Sequence, residues 1–531
     1  MDNKTNKYER LSKEGPLSLI RWSFSKYLAF IALLSNKRIK KEYTFYMERL
    51  RKFFLKNSNQ KQVIIKNTFW LVLAEIITRL LKLLLIIAVA RILGATEYGK
   101  FTFALAFVSL FGIFADMGIG PIVTRDLSQK KEKEREFPTI ITLKLFLGFL
   151  CFILIYAISF FITPDPLVRK VIWVLGAYVV ASNFSEIIFA FFRAFQKMEY
   201  EAWAKISQAV FSTGVGFLML FKFPSIQGLS MSYFLTSFFA SLFLLLIFSR
   251  KFIRIKILFN KTIWISLLKK SWPLALIGIF ATVYNSIDSV MMGYWGQITE
   301  TGWYNAAYRV IGIALIPAGL VSQVFYPAVS SLFKKSTGNL QKIWSRQIEI
   351  MTFLAIPIVV GVIGLAPKII QFVYGKDFLP GTLSLKILII AVGIIFLSDP
   401  FNQILVVADK QKKIFLITMI GAFVNILLNF LLIPTYSLNG AAIATTTTYL
   451  LVFLMLFRTT IKLTRLRPLS TDSVLWLAGS LISSAIMYLI ITLPFIYSVN
   501  VVFVVLIGSL VYLSFFSLFA KINNLSLLSN K

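Results

Sequence analysis

The 531-residue sequence contains no histidine, a single cysteine at Cys151, and only 23 acidic residues against 56 Lys and Arg. Without an imidazole there is no His general base, no Ser-His-Asp or Cys-His nucleophile system, and none of the usual zinc ligand sets. A lone thiol inside an apolar run forms no intramolecular disulfide and reads as an inert buried group. No GxxxxGK[ST] loop is present, so nothing in the chain points to ATP hydrolysis of its own. Together these absences describe a protein that is not an enzyme.

What is abundant is apolar surface. Hydrophobic residues make up 57% of the chain, with 51 Phe, and the mean hydropathy of +0.77 is far above soluble usage. A bilayer core is crossed by about 20 apolar residues, and backbone inside lipid must satisfy its own hydrogen bonds, so repeated runs of that length predict helices. Fourteen such windows follow one another, from 68–93 to 499–520, predicting an all-α polytopic membrane protein with both termini on one side. With the N-terminus assigned to the cytoplasm, 45 basic residues fall in cytoplasmic segments and 8 on the other side, which sets the orientation in a cytoplasmic (inner) membrane. The net charge of +33 is thereby a matter of topology, and no nucleic-acid partner is expected.

Residues 1–66 form a basic cytoplasmic extension without the small-residue cleavage site of a signal peptide. Within it, 17–34 carries Arg21, Trp22 and Lys26 among apolar residues, and reads either as a helix lying in the headgroup layer or as a loosely ordered tail. The run KKEKERE at 130–136 reads as a solvated loop. A duplication organises the remainder. LGATEYGKFTFA has Gly99, Phe101 and Ala104 where WGQITETGWYNAA has Gly302, Tyr304 and Ala307, each joining the first two helices of a six-helix block. A second echo pairs Pro224 and Gly228 with Pro434 and Gly440. The predicted organisation is an N-lobe at 67–250, a basic cytoplasmic linker at 251–270, a C-lobe at 271–460, and two appended helices with a tail at 461–531.

Three segments carry a family likeness: ARILGATEYGKFTFALAFVSLFGIFADMGIGPIVTRDL, IDSVMMGYWGQITETGWYNAAYRVIGIALIPAGL and NILLNFLLIPTYSLNGAAIATTTTYL, together with YGKDFLP near 374–380. Over roughly residues 65–460 the chain resembles the polysaccharide flippases of the multidrug, oligosaccharidyl-lipid and polysaccharide exporter superfamily. The resemblance implies two six-helix lobes around a central cavity that opens alternately to either face. It also implies translocation of an undecaprenyl- or dolichyl-pyrophosphate-linked oligosaccharide from the cytoplasmic to the outer leaflet by alternating access, with an ion gradient or the membrane potential setting the direction.

Charges at membrane depth are the site candidates, since each costs several kcal/mol unless it faces water, a counter-charge or a bound anion. Arg79 lies in the first helix with Glu75 at i−4 and Lys82 at i+3, so that all three can share a face. Arg309 lies in the eighth helix, and guanidinium forks suit the oxygens of a pyrophosphate. Arg79 and Arg309 match the cavity arginines of the resembled lipid II flippases, Arg79 standing twelve residues before Arg91. Where that pattern has a further Arg-Asp pair, this chain has Leu85 and Ile86, which argues for a different headgroup. The competing reading of Arg79 is an ion pair with Glu75 that only holds the bundle together.

Asp288, Asn425, Asn429, Thr445 and the Ala441 carbonyl resemble the sodium site of some lipid II flippases, with Asn429 replacing a second acidic ligand. They are candidates for a coupling ion, Na+ or H+, or else for plain interhelical hydrogen bonds. No other metal and no cofactor is expected. Asp116, Glu186 and Asp399 read as interhelical or capping groups. Expected partners are the lipid-linked oligosaccharide, membrane lipids, and a glycan polymerase or glycosyltransferases. The alternatives are a lipid II flippase and a drug:cation antiporter of the same superfamily; the basic residues at membrane depth oppose the latter. A membrane glycosyltransferase would need a carboxylate-rich loop or an extramembrane domain, and a scaffold would work through residues 1–66.

Overall fold

The computed structural model describes residues 59–253, 256–333, 337–464, 466, 471–523 and 525. The segment at 17–34 and most of the N-terminal extension lie outside them. Regular structure among the described residues is helical: α1 (Gln60–Asp116), α2 (Ile119–Gln129), α3 (Phe137–Ile162), α4 (Pro166–Ala194), α5 (Met198–Lys222), α6 (Ile226–Lys251), α7 (Lys261–Tyr294), α8 (Ile298–Ala314), α9 (Ile316–Leu332), α10 (Thr337–Tyr374), α11 (Thr382–Val407), α12 (Gln411–Thr464), α13 (Thr471–Ile491), α14 (Pro494–Ser498) and α15 (Val501–Ile522), with 3-10 turns at Lys131–Glu136 and Lys376–Gly381.

Eleven stretches among the described residues are long and apolar enough to cross a membrane, against the fourteen windows read from hydropathy. Part of the difference is continuity. α12 runs for 54 residues and is broken at Ser437 (φ 51, ψ −132). Beyond the break the chain has turned back, since a Cβ on Gly440 would stand 2.2 Å from the Leu432 carbonyl oxygen. α1, with 57 residues, is broken likewise at Gly94 (φ 76, ψ 175), a left-handed position that favours glycine. The helix starts are set by short polar side chains that satisfy free backbone N–H groups. Asp165 accepts from Leu167 N at 2.8 Å, Asn260 from Thr262 N at 3.0 Å, and Asn500 from Val502 N at 3.0 Å.

The chain divides into two compact units. In the smaller, the described residues from 59 to 76 pack with Gln196–Trp203: Lys66, fully buried, reaches Glu199 Oε2 at 2.9 Å, and the Trp70 and Trp203 rings lie 5.7 Å apart. The larger, Ile77–Phe195 with Ala204 onward, holds four apolar clusters among its described residues, one of which runs from Leu85 and Val89 of α1 through Tyr304 of α8 to Ile433 of α12.

Within this larger unit the two duplicated turns meet each other. A Cβ on Gly99 would lie 1.9 Å from Ile298 O, and one on Gly302 would lie 2.2 Å from Ala95 O. Neither distance admits a side chain, so backbone packs directly on backbone, the approach that small residues allow between membrane helices. Thr96 and Thr299 join their hydroxyls across the contact at 2.9 Å. Arg91 donates to the carbonyls of Phe372 and Val373, and Tyr98 packs edge-on against Phe378. This seam ties α1, α8 and the Lys376–Gly381 turn into one closed end.

A Cβ at the seam has no room. With Thr96→Cys and Thr299→Cys introduced, and the natural Cys151 buried, copper-phenanthroline should cross-link the pair readily. Adding Gly302→Val should reduce that cross-link several-fold; an unchanged yield would show that the seam tolerates separation.

Candidate functional site

The residues nominated as coupling-ion ligands converge. Asp288 of α7 is 3% exposed, and its carboxylate accepts from Asn429 Nδ2 at 2.5 Å, Thr445 Oγ1 at 2.7 Å and the Tyr304 hydroxyl at 2.5 Å. Asn429 Nδ2 also donates to Asn425 Oδ1 at 3.1 Å, and Ala441 is fully buried on the same helix as Thr445. The break at Ser437 makes this possible, because it brings both arms of α12 against α7. An ionised group deep in the bundle is tolerated where several donors converge on it.

Two buried atoms of this cluster have no hydrogen-bond partner: Asn425 Nδ2 and Asn429 Oδ1. The donor set fits a hard monovalent cation, with one carboxylate and otherwise neutral oxygens, whereas a divalent ion favours more negative charge. Asn429 would contribute its orphaned Oδ1 by turning its amide over, a change that costs little shape. Among the described residues no group of three or more His, Cys, Asp or Glu side chains assembles.

Tyr304 is the member that the reading of the sequence did not nominate. The duplication held the signal: the equivalent position in the first half is Phe101, so a hydroxyl is present only in the second. Phe101 packs edge-on against Tyr233. Further tyrosines surround the carboxylate, with Tyr308 stacked on Tyr304 and Tyr284 edge-on to Tyr449.

The nominated basic residues are dispersed. Arg79 and Lys82 are exposed on α1, as are Leu80 and Leu84, and Glu75 is exposed as well. Arg309 is half-buried, and its charge acts on the phenol groups of Tyr98, Tyr233 and Tyr374. Leu85 and Ile86, where the resembled pattern has its Arg-Asp pair, are buried in the core.

A polar cavity of about 640 Å³ is lined chiefly by α1, α2 and α4, with Thr282 of α7. Ser109, Asp116, Tyr178, Asn183, Glu186 and Arg193 supply its polar surface; Arg79 and Arg309 do not line it. It lies away from the seam, because Asp116 is 17 residues beyond Gly99 along α1, about 25 Å at helical rise. Asp116 pairs with Lys144 at 2.8 Å, and Lys144, 1% exposed, also donates to Ala115 O at 3.0 Å. Glu186 pairs with Arg193 at 3.0 Å. Asp399 is likewise an interhelical group, accepting from Ser322 while Gln403 donates to Ser322 O at 2.9 Å. A second, apolar groove of about 380 Å³ lies between α10, α13 and α15.

Replacing Tyr304 by Phe removes one donor to a buried carboxylate. The Tyr304→Phe protein should lose about 1–3 kcal/mol of stability, read as a lower melting temperature in detergent, while Phe101→Tyr at the equivalent position should bring no matching gain.

The polysaccharide biosynthesis protein family matches residues 64–333, about half of the chain. The chain is 23% identical over 397 residues to the capsular polysaccharide biosynthesis protein CapF of Staphylococcus aureus, covering 72% of this chain and 95% of that protein. It is 27% identical over 169 residues to the probable flippase AglR of Haloferax volcanii, covering 30% of this chain and 35% of that one. Its fold is similar to the lipid II flippase MurJ in an inward closed conformation, with a TM-score of 0.70 at 19% identity over 86% of this chain and 99% of that chain.

Proposed function

The chain belongs to the polysaccharide biosynthesis protein family, and on that footing we propose that it flips a lipid-linked oligosaccharide across a membrane by alternating access. The observation that carries this reading is the charge-lined cavity near one end of an apolar helical bundle whose other end is sealed by the Gly99–Gly302 seam. A headgroup bearing phosphate and sugar hydroxyls would be stranded in hydrocarbon at a cost of several kcal/mol for each unpaired polar group. The cavity offers it carboxylates, amides, hydroxyls and a guanidinium instead. The relatives named for capsular polysaccharide synthesis and for flipping support this assignment.

The finer features of the reading are these. The excess of basic residues in alternate loops puts the termini and the open cavity on the cytoplasmic side of an inner membrane, so the sealed seam faces outward. The carrier is a polyprenyl pyrophosphate. Arg79 and Lys82 on α1, with Glu75 one turn before, and Arg309 beside the seam tyrosines, handle its charge during translocation. Parting of the seam would then close the cavity and expose the headgroup to the opposite face. A sodium ion or proton at Asp288, Asn425, Asn429, Ala441 and Thr445 biases the direction. The core packing of Leu85 and Ile86 favours a glycan other than lipid II. Glycan-assembling enzymes supply and consume this substrate on the two faces.

Deletion of the gene should cause lipid-linked glycan intermediates to accumulate, measured by mass analysis of the extracted lipids; an unchanged lipid profile would refute the proposed activity. Arg79→Ala at unchanged membrane abundance should lower surface glycan at least about tenfold, the scale of one lost charge-assisted contact. For the coupling site, Asp288→Asn should abolish any dependence of transport on external sodium, measured by exchanging sodium for choline.

A further inference from the structure

The turn that joins α4 to α5 recurs between α11 and α12. One offset along the chain carries the helix end at Ala194 to Val407, left-handed Gln196 (φ 58) to left-handed Asp409 (φ 56), and the helix start at Met198 to Gln411. The same offset carries Glu186 to Asp399, so each half of the molecule holds a carboxylate at one equivalent position. Their surroundings differ. Glu186 is met by Arg193 at 3.0 Å and by Lys205 at 3.9 Å. The equivalents of these two cations are Val406 and Thr418, and among the described residues Asp399 forms no ion pair. Its hydrogen-bond partner is the Ser322 hydroxyl of α9. Asp399 lies within a stretch apolar enough to cross a membrane, where a carboxylate without a counter-charge is costly.

Where the first half places cations, the second half places oxygens. Gln403 stands one turn beyond Asp399, in the place of Ala190. It is 6% exposed and donates its Nε2 to Ser322 O at 2.9 Å. That bond fixes which way the amide points, and the Gln403 Oε1 is left buried without a partner. Pro400 adds to the imbalance: lacking an N–H inside α11, it takes the usual helical donor from the Phe396 carbonyl, one turn before Asp399. A buried acceptor without a donor carries a penalty, and a cation relieves it as a donor would.

We propose that Asp399, the Gln403 amide oxygen and the Ser322 hydroxyl bind a monovalent metal cation such as sodium. One carboxylate with otherwise neutral oxygens suits a single positive charge, whereas a divalent ion favours more negative ligands. The bound ion does for Asp399 what Arg193 and Lys205 do for Glu186. The site is separate from the Asp288 cluster. Asp399 lies 17 residues into α11 from Thr382, about 25 Å at helical rise from the seam turn, whereas Tyr304, bonded to Asp288, is two residues from Gly302 of the seam. The inference goes beyond the transport reading and does not depend on it, since cation binding is measured without transport.

The test measures binding of radioactive sodium to the purified full-length protein in detergent by scintillation proximity, with choline as the inert replacement. The Asp288→Asn protein should still bind sodium, and adding Asp399→Asn should weaken that binding at least about tenfold. In the same background Gln403→Leu should weaken it several-fold, while Gln403→Glu, which adds a second carboxylate, should tighten it. The opposite signs at one position carry the proposal, since a glutamine that serves only to hold α11 against α9 would lose its Ser322 bond in both variants and bring no gain in either. The two Gln403 variants, made also in the otherwise natural chain, decide the matter where a substitution of either aspartate prevents folding. Absence of sodium binding to folded Asp288→Asn protein, binding that no change at Asp399 or Gln403 alters, or a Gln403→Glu protein that binds no more tightly overturns the site. The transport reading is decided separately by the lipids that accumulate on gene deletion.

Discussion

The contact on which the larger unit is built is an approach of two peptide backbones. Gly99 and Gly302 occupy the same place in two copies of one turn, and the copies face each other so closely that neither position has room for a single carbon. Between helices in lipid the hydrophobic effect gives little net attraction, and close packing with interhelical hydrogen bonds has to supply it. The seam provides both, through glycines that allow the approach and through Thr96, Thr299 and Arg91, which fasten it. Its bonds are few and lie at one end of the bundle.

Charge within the bundle is handled in three ways, and the differences bear on function. Lys144 and Asp116 neutralise one another, with the ammonium sealed from solvent. The Asp288 carboxyl is met by neutral hydrogen-bonding groups, the Asn429 amide and the Thr445 and Tyr304 hydroxyls. Glu186 is met by Arg193 and Lys205 and lines the cavity. Of these groups Asp116 and Glu186 line the cavity, in a chain with only 23 acidic residues.

Much of this was legible from the amino-acid order. The window at 382–407 coincides with α11, and those at 168–192 and 138–163 fall within two residues of α4 and α3 at each end. Hydropathy succeeds there because lipid leaves helix as the way to satisfy the backbone. It did not foresee the interruption at Leu315 between α8 and α9, whereas the separate windows at 414–434 and 439–457 agree with the break at Ser437 inside α12. The Asp288 cluster was accessible through its spacing and family likeness. Tyr304 was hidden because its role depends on which helix α8 packs against, and while Glu186 was read as an interhelical or capping group, its partners Arg193 and Lys205 were not singled out. The meeting of Gly99 with Gly302 is of the same kind: the repeat showed that they correspond, and only the fold shows that they touch.

Helix α8 links these features. Gly302 lies in its first two turns against Ala95, Tyr304 follows two residues later with its hydroxyl on Asp288, and Arg309 follows in turn beside Tyr98. Two residues of helix rise only about 3 Å, so a displacement of this segment large enough to part Gly302 from Ala95 also acts on the Tyr304 hydroxyl. The seam and the Asp288 carboxylate thus share one rigid element. Whatever stabilises the carboxylate in one position of α8 more than in another must, by linkage, favour the corresponding state of the seam, and the converse holds equally.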